Sequence, residues 1–268
     1  MDTGLRGKTA LVTGGASGIG RGISRALAEE GVDLAIASRS PDPAAIDEMR
    51  GLGVRCITVK ADVSREADVV RMVAEAVAGL GRLDLFVNDA AWAWHQPFTE
   101  IDARSWQSTI DTNLSACVFA CREVCRHMVP RRAGSILVVG STSRFTICYR
   151  ETSYRISKAG LRILTENLAV EMAPYGIRVN MVTPGHFRTR LTGSTPREIE
   201  QEMLRIIPLH RFGQPVEIGR AAVMLLSDAL SPYTTGADLV VDGGLSLRPL
   251  PLLAEEEIVG LNDPEARP

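Results

Sequence analysis

Residues 13–20 read Thr-Gly-Gly-Ala-Ser-Gly-Ile-Gly, and this stretch decides the fold. It follows an apolar run over residues 8–13 and leads directly into a helical pattern over residues 19–30. A turn that reverses the chain, approaches a phosphate group and seats a helix close to a strand favours residues that have no Cβ. The helix that follows offers unpaired N–H groups and the positive end of its dipole. We therefore predict a turn that binds the phosphates of a dinucleotide through Gly14, Ser17, Gly18, Ile19 and Gly20.

The rest of the chain alternates short apolar runs with amphipathic stretches. The apolar runs are rich in Val, Ile and Leu and show little alternation, which is typical of parallel strands covered on both faces. This pattern predicts an α/β Rossmann fold, a doubly wound sheet of seven parallel strands with helices on both faces. The predicted strands are 8–13, 32–38, 55–60, 83–87, 134–139, 177–182 and 237–241, and the predicted helices are 19–30, 44–52, 66–80, 102–128, 152–172 and 215–227.

The domain organisation is predicted to be simple. No linker or internal repeat divides residues 5–246, so residues 1–246 are expected to form one dinucleotide-binding and catalytic domain. Residues 183–215 are rich in Pro, Gly, Thr and Arg, which favours a substrate lid that lacks strands and contains a short helix. Residues 247–268 form a C-terminal tail, either disordered or packed on another subunit.

Composition narrows the possible partners and compartment. The chain of 268 residues has a net charge of −2 and no lysine–arginine run, which argues against nucleic acid or anionic membrane surfaces as partners. There is no signal-peptide core and no apolar stretch of about 20 residues, so a cytoplasmic protein is expected. Cys117, Cys121 and Cys125 repeat on one helical face; we interpret them as small apolar fillers rather than metal ligands, and predict no metal site.

The spacing Gly-x-x-x-Gly-x-Gly resembles the short-chain dehydrogenase/reductase family, and the resemblance extends over residues 5–246. The other matching features are Asn113 in a helix, Ser141 thirteen residues before Tyr154, Tyr154 and Lys158 separated by three residues, Asn88-Asp89-Ala90-Ala91, Pro184-Gly185 and Asp242-Gly243-Gly244.

The resemblance implies hydride transfer between a carbinol and a carbonyl carbon, a reaction that needs a group to exchange a proton with the substrate oxygen. A phenol ionises near pH 10 in water, and a fixed cation nearby favours the phenolate. Tyr154 and Lys158 share a helix face, so Lys158 can supply that charge. The resemblance implies that Lys158 also binds the nicotinamide ribose and that Ser141 holds the substrate oxygen, with Ser143 as a conceivable substitute. It further implies that the backbone carbonyl and side chain of Asn113 fix a water that links Lys158 to solvent.

Further cofactor contacts are implied by position. The resemblance places Asp62 at the adenine amino group with Val63 beside it, and Thr189 at the carboxamide. Asn88 is expected to pin the turn after the fourth strand. The remaining expected contacts are Ala90, Pro184, Gly185 and Phe187. The sequence departs from the family where Asp89 replaces an asparagine and Ala91 a glycine; the added methyl is expected to tighten the site slightly.

The choice of nicotinamide depends on charge. Residues 38–40 read Ser-Arg-Ser where NAD-selective relatives place a carboxylate for the adenosine ribose. Ser38 and Arg39 can hold a 2′-phosphate through charge-assisted hydrogen bonds. NADP(H) is therefore predicted as the preferred cofactor. NAD(H) remains possible if Arg39 is only a solvated loop residue.

The substrate is predicted to be a small molecule that carries a carbonyl or a secondary alcohol. Aromatic and guanidinium groups in the expected substrate wall would suit a ring compound or an anion. The candidates are Trp92, Trp94, His95, Arg144, Phe145, Tyr149, Arg150, His186, Phe187 and Arg188. The alternatives are an NAD-dependent alcohol or sugar dehydrogenase, an enoyl reductase and a catalytically silent dinucleotide sensor. Relatives that reduce enoyl groups often have a longer spacing between the tyrosine and the lysine.

The helices 102–128 and 152–172 predict a homo-oligomer. Both carry apolar residues around more than one face, and large exposed apolar patches are rare on soluble monomers. The apolar positions are Cys117, Val118, Cys121 and Cys125 on the first helix, and Leu161, Leu164, Leu168 and Met172 on the second. By resemblance a tetramer is expected, with a dimer as the alternative.

Overall fold

The computed structural model describes residues 2–146, 149–189 and 197–247. They form a sheet of seven parallel strands in the order β3-β2-β1-β4-β5-β6-β7, so the predicted doubly wound Rossmann fold is confirmed. The order reverses between β1 and β4, and the crevice at such a switch point is where ligands bind in open α/β sheets. The strands are β1 Thr9–Thr13, β2 Asp33–Ser38, β3 Cys56–Lys60, β4 Leu85–Asn88, β5 Gly134–Val139, β6 Ile177–Pro184 and β7 Asp238–Val241.

Helices cover both faces of the sheet. They are α1 Gly18–Glu29, α2 Pro43–Gly51, α3 Glu66–Leu80, α4 Ala103–Ile110, α5 Ala116–Met128, α6 Thr152–Met172, α7 Arg197–Ile206 and α8 Pro215–Leu226. Successive strand residues point to opposite faces. Val12 accordingly packs with Ile23 of α1 and Ile218 of α8, whereas Leu11 packs with Val124 of α5 and Leu161 of α6.

The helix predicted over residues 102–128 is interrupted. A π-helical turn, Asp111–Ser115, separates α4 from α5. Asn113 lies in this turn and is buried. Such π turns are frequent at functional sites. The sequence does not reveal the turn, because the apolar pattern on either side of it remains helical.

The segment predicted as a lid without strands contains strand pairing at its start. β6 runs on to Pro184, and Thr183 and Pro184 pair with Val240 and Val241 of β7. A further bridge joins Phe187 to Gly213. The short helix predicted inside the segment is α7, while residues 190–196 lie outside the described residues, as does the tail from residue 248.

No described helix has both the length and the apolar character needed to span a bilayer.

The cysteines of α5 are buried between the helix and the sheet, as expected for apolar fillers; they are Cys117, Cys121 and Cys125. Cys148 lies outside the described residues. Burial raises the pKa of the Cys125 thiol to about 11.

Candidate active site

A cleft of about 1000 Å³ opens at the carboxyl ends of the strands, where the strand order reverses. The glycine turn, the ends of β2, β3, β5 and β6, and the first turns of α6 line it. Most of the predicted site residues therefore face one space, although they come from separate parts of the chain.

The glycine turn has the shape that a phosphate-binding turn needs. Gly14 has a φ of +72° and Gly18 a φ of +52°, values that favour glycine. A Cβ on Gly20 would lie 2.6 Å from the Asp89 carboxylate and would also collide with the Gly14 carbonyl. Among the described residues, the Ser17 side chain caps no N–H group of α1. The turn thus fits a dinucleotide phosphate, because the cradle is open and the helix N-terminus is available.

Thr13 fixes the loop that follows β4, a role that the sequence assigned to Asn88. The Thr13 Oγ1 accepts hydrogen bonds from the backbone N–H groups of Asp89 (3.1 Å) and Ala90 (3.2 Å). Asn88 is buried at the end of β4, between Thr13 and Val138 of the neighbouring strands. The signal available in the sequence was the hydroxyl residue immediately before the first glycine of the turn.

Asp89 places a carboxyl group against the glycine turn. The backbone N–H of Gly20 donates to this carboxyl, and Lys158 acts on it electrostatically. Both interactions lower its pKa, but the larger effect of burial raises the pKa of Asp89 to about 7. The sequence revealed the substitution of asparagine by aspartate but not its consequence for titration.

The predicted adenosine-binding residues lie along one edge of the cleft. Arg39 is exposed just beyond β2, and the Ser40 N–H donates to the Ser38 Oγ at 3.2 Å. Beyond β3, the Asp62 Oδ1 accepts hydrogen bonds from the N–H (3.1 Å) and the hydroxyl (2.7 Å) of Ser64. Val63 lies beside it and also lines the cleft.

Ser141, Tyr154 and Lys158 all line the cleft. Ser141 follows β5 and begins a 3₁₀ turn, Thr142–Arg144, while Tyr154 and Lys158 lie in the first two turns of α6. Lys158 is buried, and its Nζ donates to the Val139 carbonyl at 3.0 Å. The same Nζ lies 5.8 Å from the centroid of the Tyr154 ring. A fixed cation therefore stands next to a partly exposed phenol.

Ser143 supports Ser141 rather than substituting for it. The Ser143 hydroxyl donates to the Ser141 Oγ at 2.9 Å, and the Ser143 N–H does so at 3.2 Å. Arg155 holds this turn in place through a hydrogen bond from its Nε to the Ser143 carbonyl (2.6 Å). Because the Ser141 Oγ accepts these bonds, its own proton is directed elsewhere.

Asn113 binds protein atoms with its side chain. Its amide donates to the Trp92 carbonyl (2.8 Å) and the Ser157 hydroxyl (3.0 Å), and accepts from the Trp92 N–H (2.7 Å). The side chain fastens the π turn to the loop after β4. The prediction that the Asn113 backbone carbonyl and side chain also fix a water stays a prediction, since the Oδ1 can accept a second hydrogen bond. Ser157 was missed because its position in Tyr-x-x-Ser-Lys carried no predicted role.

The predicted contacts at the nicotinamide end divide into two groups. Pro184, Gly185 and Thr189 line the cleft, and the Thr189 Cγ2 lies 3.6 Å from where a Cβ of Gly18 would stand. Phe187 is only 4% exposed and packs in the core, so its side chain does not line the cleft as predicted. The physical reason is that its ring packs on Gly213, where an added Cβ would lie 2.5 Å from the Phe187 Cε1, and a backbone bridge joins the two residues.

The substrate wall differs from the expected mixture of aromatic and cationic groups. Arg144 forms a buried ion pair with Asp238, and Arg188 pairs with Glu200 at 2.5 Å. Two of the three guanidinium groups expected to bind an anion are thus already paired with carboxylates, whereas the third, that of Arg150, is exposed. Trp92 and Trp94, by contrast, are 45% and 42% exposed and line the cleft.

Comparisons with known proteins agree with this architecture. The family model described as enoyl-(acyl carrier protein) reductase matches residues 14–246. The 3-oxoacyl-[acyl-carrier-protein] reductase of Chlamydia pneumoniae is 37% identical, and the match covers 92% of this chain and 100% of the relative. Glucose 1-dehydrogenase 2 of Bacillus subtilis is 34% identical over 91% of this chain and 97% of its own length. A crystal structure of a short-chain type dehydrogenase/reductase from Mycobacterium marinum superimposes with a TM-score of 0.84 at 34% identity, covering 90% of this chain and 96% of that one.

Proposed function

This chain belongs to the short-chain dehydrogenase/reductase family of NAD(P)-dependent oxidoreductases that act on CH–OH and C=O groups, and from that premise we propose that it interconverts a carbonyl and a secondary alcohol of a small organic molecule, with NADP(H) as cofactor. The observation that carries the proposal is that Ser141, Tyr154 and Lys158 line the same cleft, with the Lys158 Nζ 5.8 Å from the Tyr154 ring centroid.

Each of these side chains has a separate task. The Ser141 and Tyr154 hydroxyls hold the substrate oxygen, and in reduction Tyr154 donates its proton to the developing alkoxide. Bound nicotinamide cofactor supplies or accepts the hydride. Lys158 holds its Nζ 5.8 Å from the ring centroid, so its charge would stabilise the negative charge that develops on Tyr154 as the proton is transferred. In alcohol oxidation Tyr154 removes the proton instead.

The surrounding residues orient this group. Ser143 donates to the Ser141 Oγ, which leaves the Ser141 proton for the substrate oxygen. Asn113 fastens the π turn through its side chain. The proton relay that we propose links Lys158 to solvent through a water held by the backbone carbonyl and side chain of Asn113.

The cofactor would lie across the strand ends. The glycine turn would hold the pyrophosphate, Ser38 and Arg39 the 2′-phosphate, and Asp62 with Val63 the adenine. Asn88 and Ala90 would shape the adenosine side, while Pro184, Gly185 and Thr189 would face the nicotinamide. The exposed guanidinium of Arg39 supports NADP(H) over NAD(H), since the described end of β2 presents no carboxylate there.

Two other reactions are the alternatives. An NAD-dependent alcohol or sugar dehydrogenase would use the same three catalytic side chains, and the similarity to glucose 1-dehydrogenase 2 supports this alternative. Enoyl reduction, the activity in the family model's description, fits less well, because only three residues separate Tyr154 from Lys158 and Ser141 lines the same cleft.

A homo-oligomer, a tetramer or a dimer, is also proposed, through Val118, which the sequence suggested, and through residues of α6 that it did not. Cys117, Cys121 and Leu161 are buried within the described fold and cannot form a contact between subunits. The outward apolar residues are Val118 on α5 and Ile156, Ile163 and Val170 on α6, the last three spaced by seven residues. Such a stripe suits a self-complementary contact. Light scattering tests this proposal, and a fully active monomer would contradict it.

We also propose that residues 1–246 act as one domain.

The proposed reaction is tested by measuring oxidation of NADPH with a panel of ketones, aldehydes, sugars and aromatic diketones. Turnover of at least one carbonyl compound, with the alcohol as product, is expected. Reduction of conjugated C=C bonds without any C=O reduction would contradict the proposal.

A further inference from the structure

Two exposed tryptophans line the cleft just after β4. Trp92 and Trp94 both belong to the lining, and both indoles are exposed in it. Large apolar surface inside a cleft marks a place where a ligand packs. The other residues that this loop contributes to the lining are Asp89, Ala90 and Ala91. Beyond Asp89, which lies against the glycine turn, the side chains of this part of the lining are therefore apolar or aromatic.

Hydrogen bonds hold the segment 92–96 at both ends. The Asn113 Oδ1 accepts from the Trp92 N–H (2.7 Å), and the Asn113 Nδ2 donates to the Trp92 carbonyl (2.8 Å). At the other end, the Gln96 N–H donates to the Arg150 carbonyl (3.0 Å), and the Gln96 Nε2 donates to the Ser105 Oγ (2.9 Å). The backbone that carries the two indoles is thus held before any substrate binds, and a preorganised surface loses less conformational freedom on binding.

The same hydrogen bonds place this segment next to Tyr154. The Asn113 amide that holds Trp92 also donates to the Ser157 Oγ (3.0 Å), and the Ser157 hydroxyl donates to the Tyr154 carbonyl (2.6 Å). The other end of the segment is held by the carbonyl of the residue four positions before Tyr154. The tryptophans therefore adjoin the start of α6, at the substrate end of the cleft, and not the adenosine edge beyond β2 and β3.

The chemistry of indole favours a flat ring as the group that packs there. Aromatic faces carry partial negative charge and edges partial positive charge, so rings pack offset or edge to face. A ring conjugated with a carbonyl is depleted of electrons by that carbonyl and complements an electron-rich indole face. In an aryl ketone the ring would lie on the indoles while the carbonyl oxygen meets Ser141 and Tyr154. A polyol fits less well, because the side chains of residues 90–94 offer it only indole N–H groups.

We propose that Trp92 and Trp94 bind the aromatic ring of an aryl ketone, or of the corresponding benzylic alcohol, and make the protein selective for aromatic over aliphatic carbonyl compounds. The proposal rests on the proposed function for the reaction at the carbonyl carbon. The two tryptophans determine specificity, whereas Ser141, Tyr154 and Lys158 carry out the chemistry.

The test compares phenyl methyl ketone with cyclohexyl methyl ketone, which has the same carbon skeleton. Their intrinsic reactivities differ but are the same for every variant, so the informative quantity is the change in the ratio of their kcat/KM values. Trp92→Leu/Trp94→Leu should lower the ratio of phenyl over cyclohexyl ketone by about three- to tenfold, the effect of an aromatic pair, mainly through KM. General loosening of the site would instead lower both values alike.

Two further variants are the controls. Trp92→Phe/Trp94→Phe keeps two aromatic rings and should retain most of the ratio. Phe98→Leu removes an exposed aromatic ring of the same loop that does not line the cleft, and it should leave the ratio unchanged. Trp94→Leu alone gives the same comparison if the double leucine variant does not fold.

Binding is also measured without turnover, by NMR titration of each ketone in the presence of NADP⁺, which cannot donate a hydride. Tighter binding of the phenyl ketone that is lost in the leucine variant and kept in the phenylalanine variant supports the proposal, even if the enzyme proves to catalyse another reaction. An equal loss for both ketones in the leucine variant would overturn it. Absence of phenyl ketone binding to the wild type would also overturn it, and reduction of other carbonyl compounds would then leave the proposed function intact.

Discussion

The two ends of the cleft are built in different ways. The phosphate end consists of one continuous turn between β1 and α1, and its essential features are backbone features: positive φ angles at Gly14 and Gly18 and an open helix N-terminus. The substrate end is assembled from the loops after β4, β5 and β6, and its contacts, such as Gln96 to Arg150, join residues far apart in sequence. Function at the first end thus depends on local conformation, and at the second on which loops meet.

The largest expected effect is a loss of turnover at the substrate end that leaves cofactor binding at the phosphate end unchanged. Tyr154→Phe keeps the ring and its packing but removes the proton donor, so turnover should fall by about 100- to 10,000-fold, the range for loss of a general acid. The dissociation constant of the cofactor, measured by fluorescence titration, should stay almost unchanged because the phosphate end is intact. Tyr233→Phe is the control, since Tyr233 is fully exposed and lies outside the cleft lining. Substantial activity in Tyr154→Phe would mean that another group exchanges the proton.

The same contrast explains what the sequence could predict. Every strand and the glycine turn were anticipated, because apolar runs and residues without Cβ act over short distances. The π turn at Asn113, the Ser143–Ser141 hydrogen bond and the Arg144–Asp238 ion pair were not. These features depend on which side chain meets which after folding, and no local pattern encodes that choice.

A smaller effect is expected at the adenosine edge of the cleft, at the loop that follows β2. Arg39→Asp removes an attraction for the 2′-phosphate and adds a repulsion. The ratio of kcat/KM for NADP(H) over NAD(H) should fall by about 10- to 150-fold, which corresponds to about 1.5–3 kcal/mol for a hydrogen bond to a charged group. Arg104→Asp, an exposed change on α4 outside the cleft lining, should leave the ratio unchanged. Equal kcat/KM for the two cofactors in the wild type would disprove the role of Arg39.

The smallest effect concerns Asp89, an ionisable side chain at the phosphate end, where the other essential features are backbone features. Its pKa is raised to about 7 by burial, and Lys158 on α6 is the charged side chain that acts on it, while α1 contributes the Gly20 N–H. Bound pyrophosphate is anionic and should raise this pKa further, so the protonated enzyme binds cofactor better. The dissociation constant should therefore be lowest below about pH 7 and increase above it, by at most about tenfold per pH unit.

Asp89→Asn keeps the shape of the side chain and removes the titration, so it is the matched variant for this prediction. The dissociation constant of NAD(H), whose pyrophosphate does not titrate near neutral pH, should lose its dependence between pH 6 and 8.5 in the variant. Calorimetry in two buffers of different ionisation enthalpy should detect proton uptake on binding in the wild type only.

The pH dependence of the stability of the cofactor-free protein gives an independent check, and its direction can be predicted. A carboxyl whose pKa is raised on folding contributes stability at low pH that is lost as the pH rises from about 4 to about 7. Asp89→Asn should thus raise the melting temperature more at pH 8 than at pH 5, and an equal shift at both pH values would show that Asp89 does not titrate in this range.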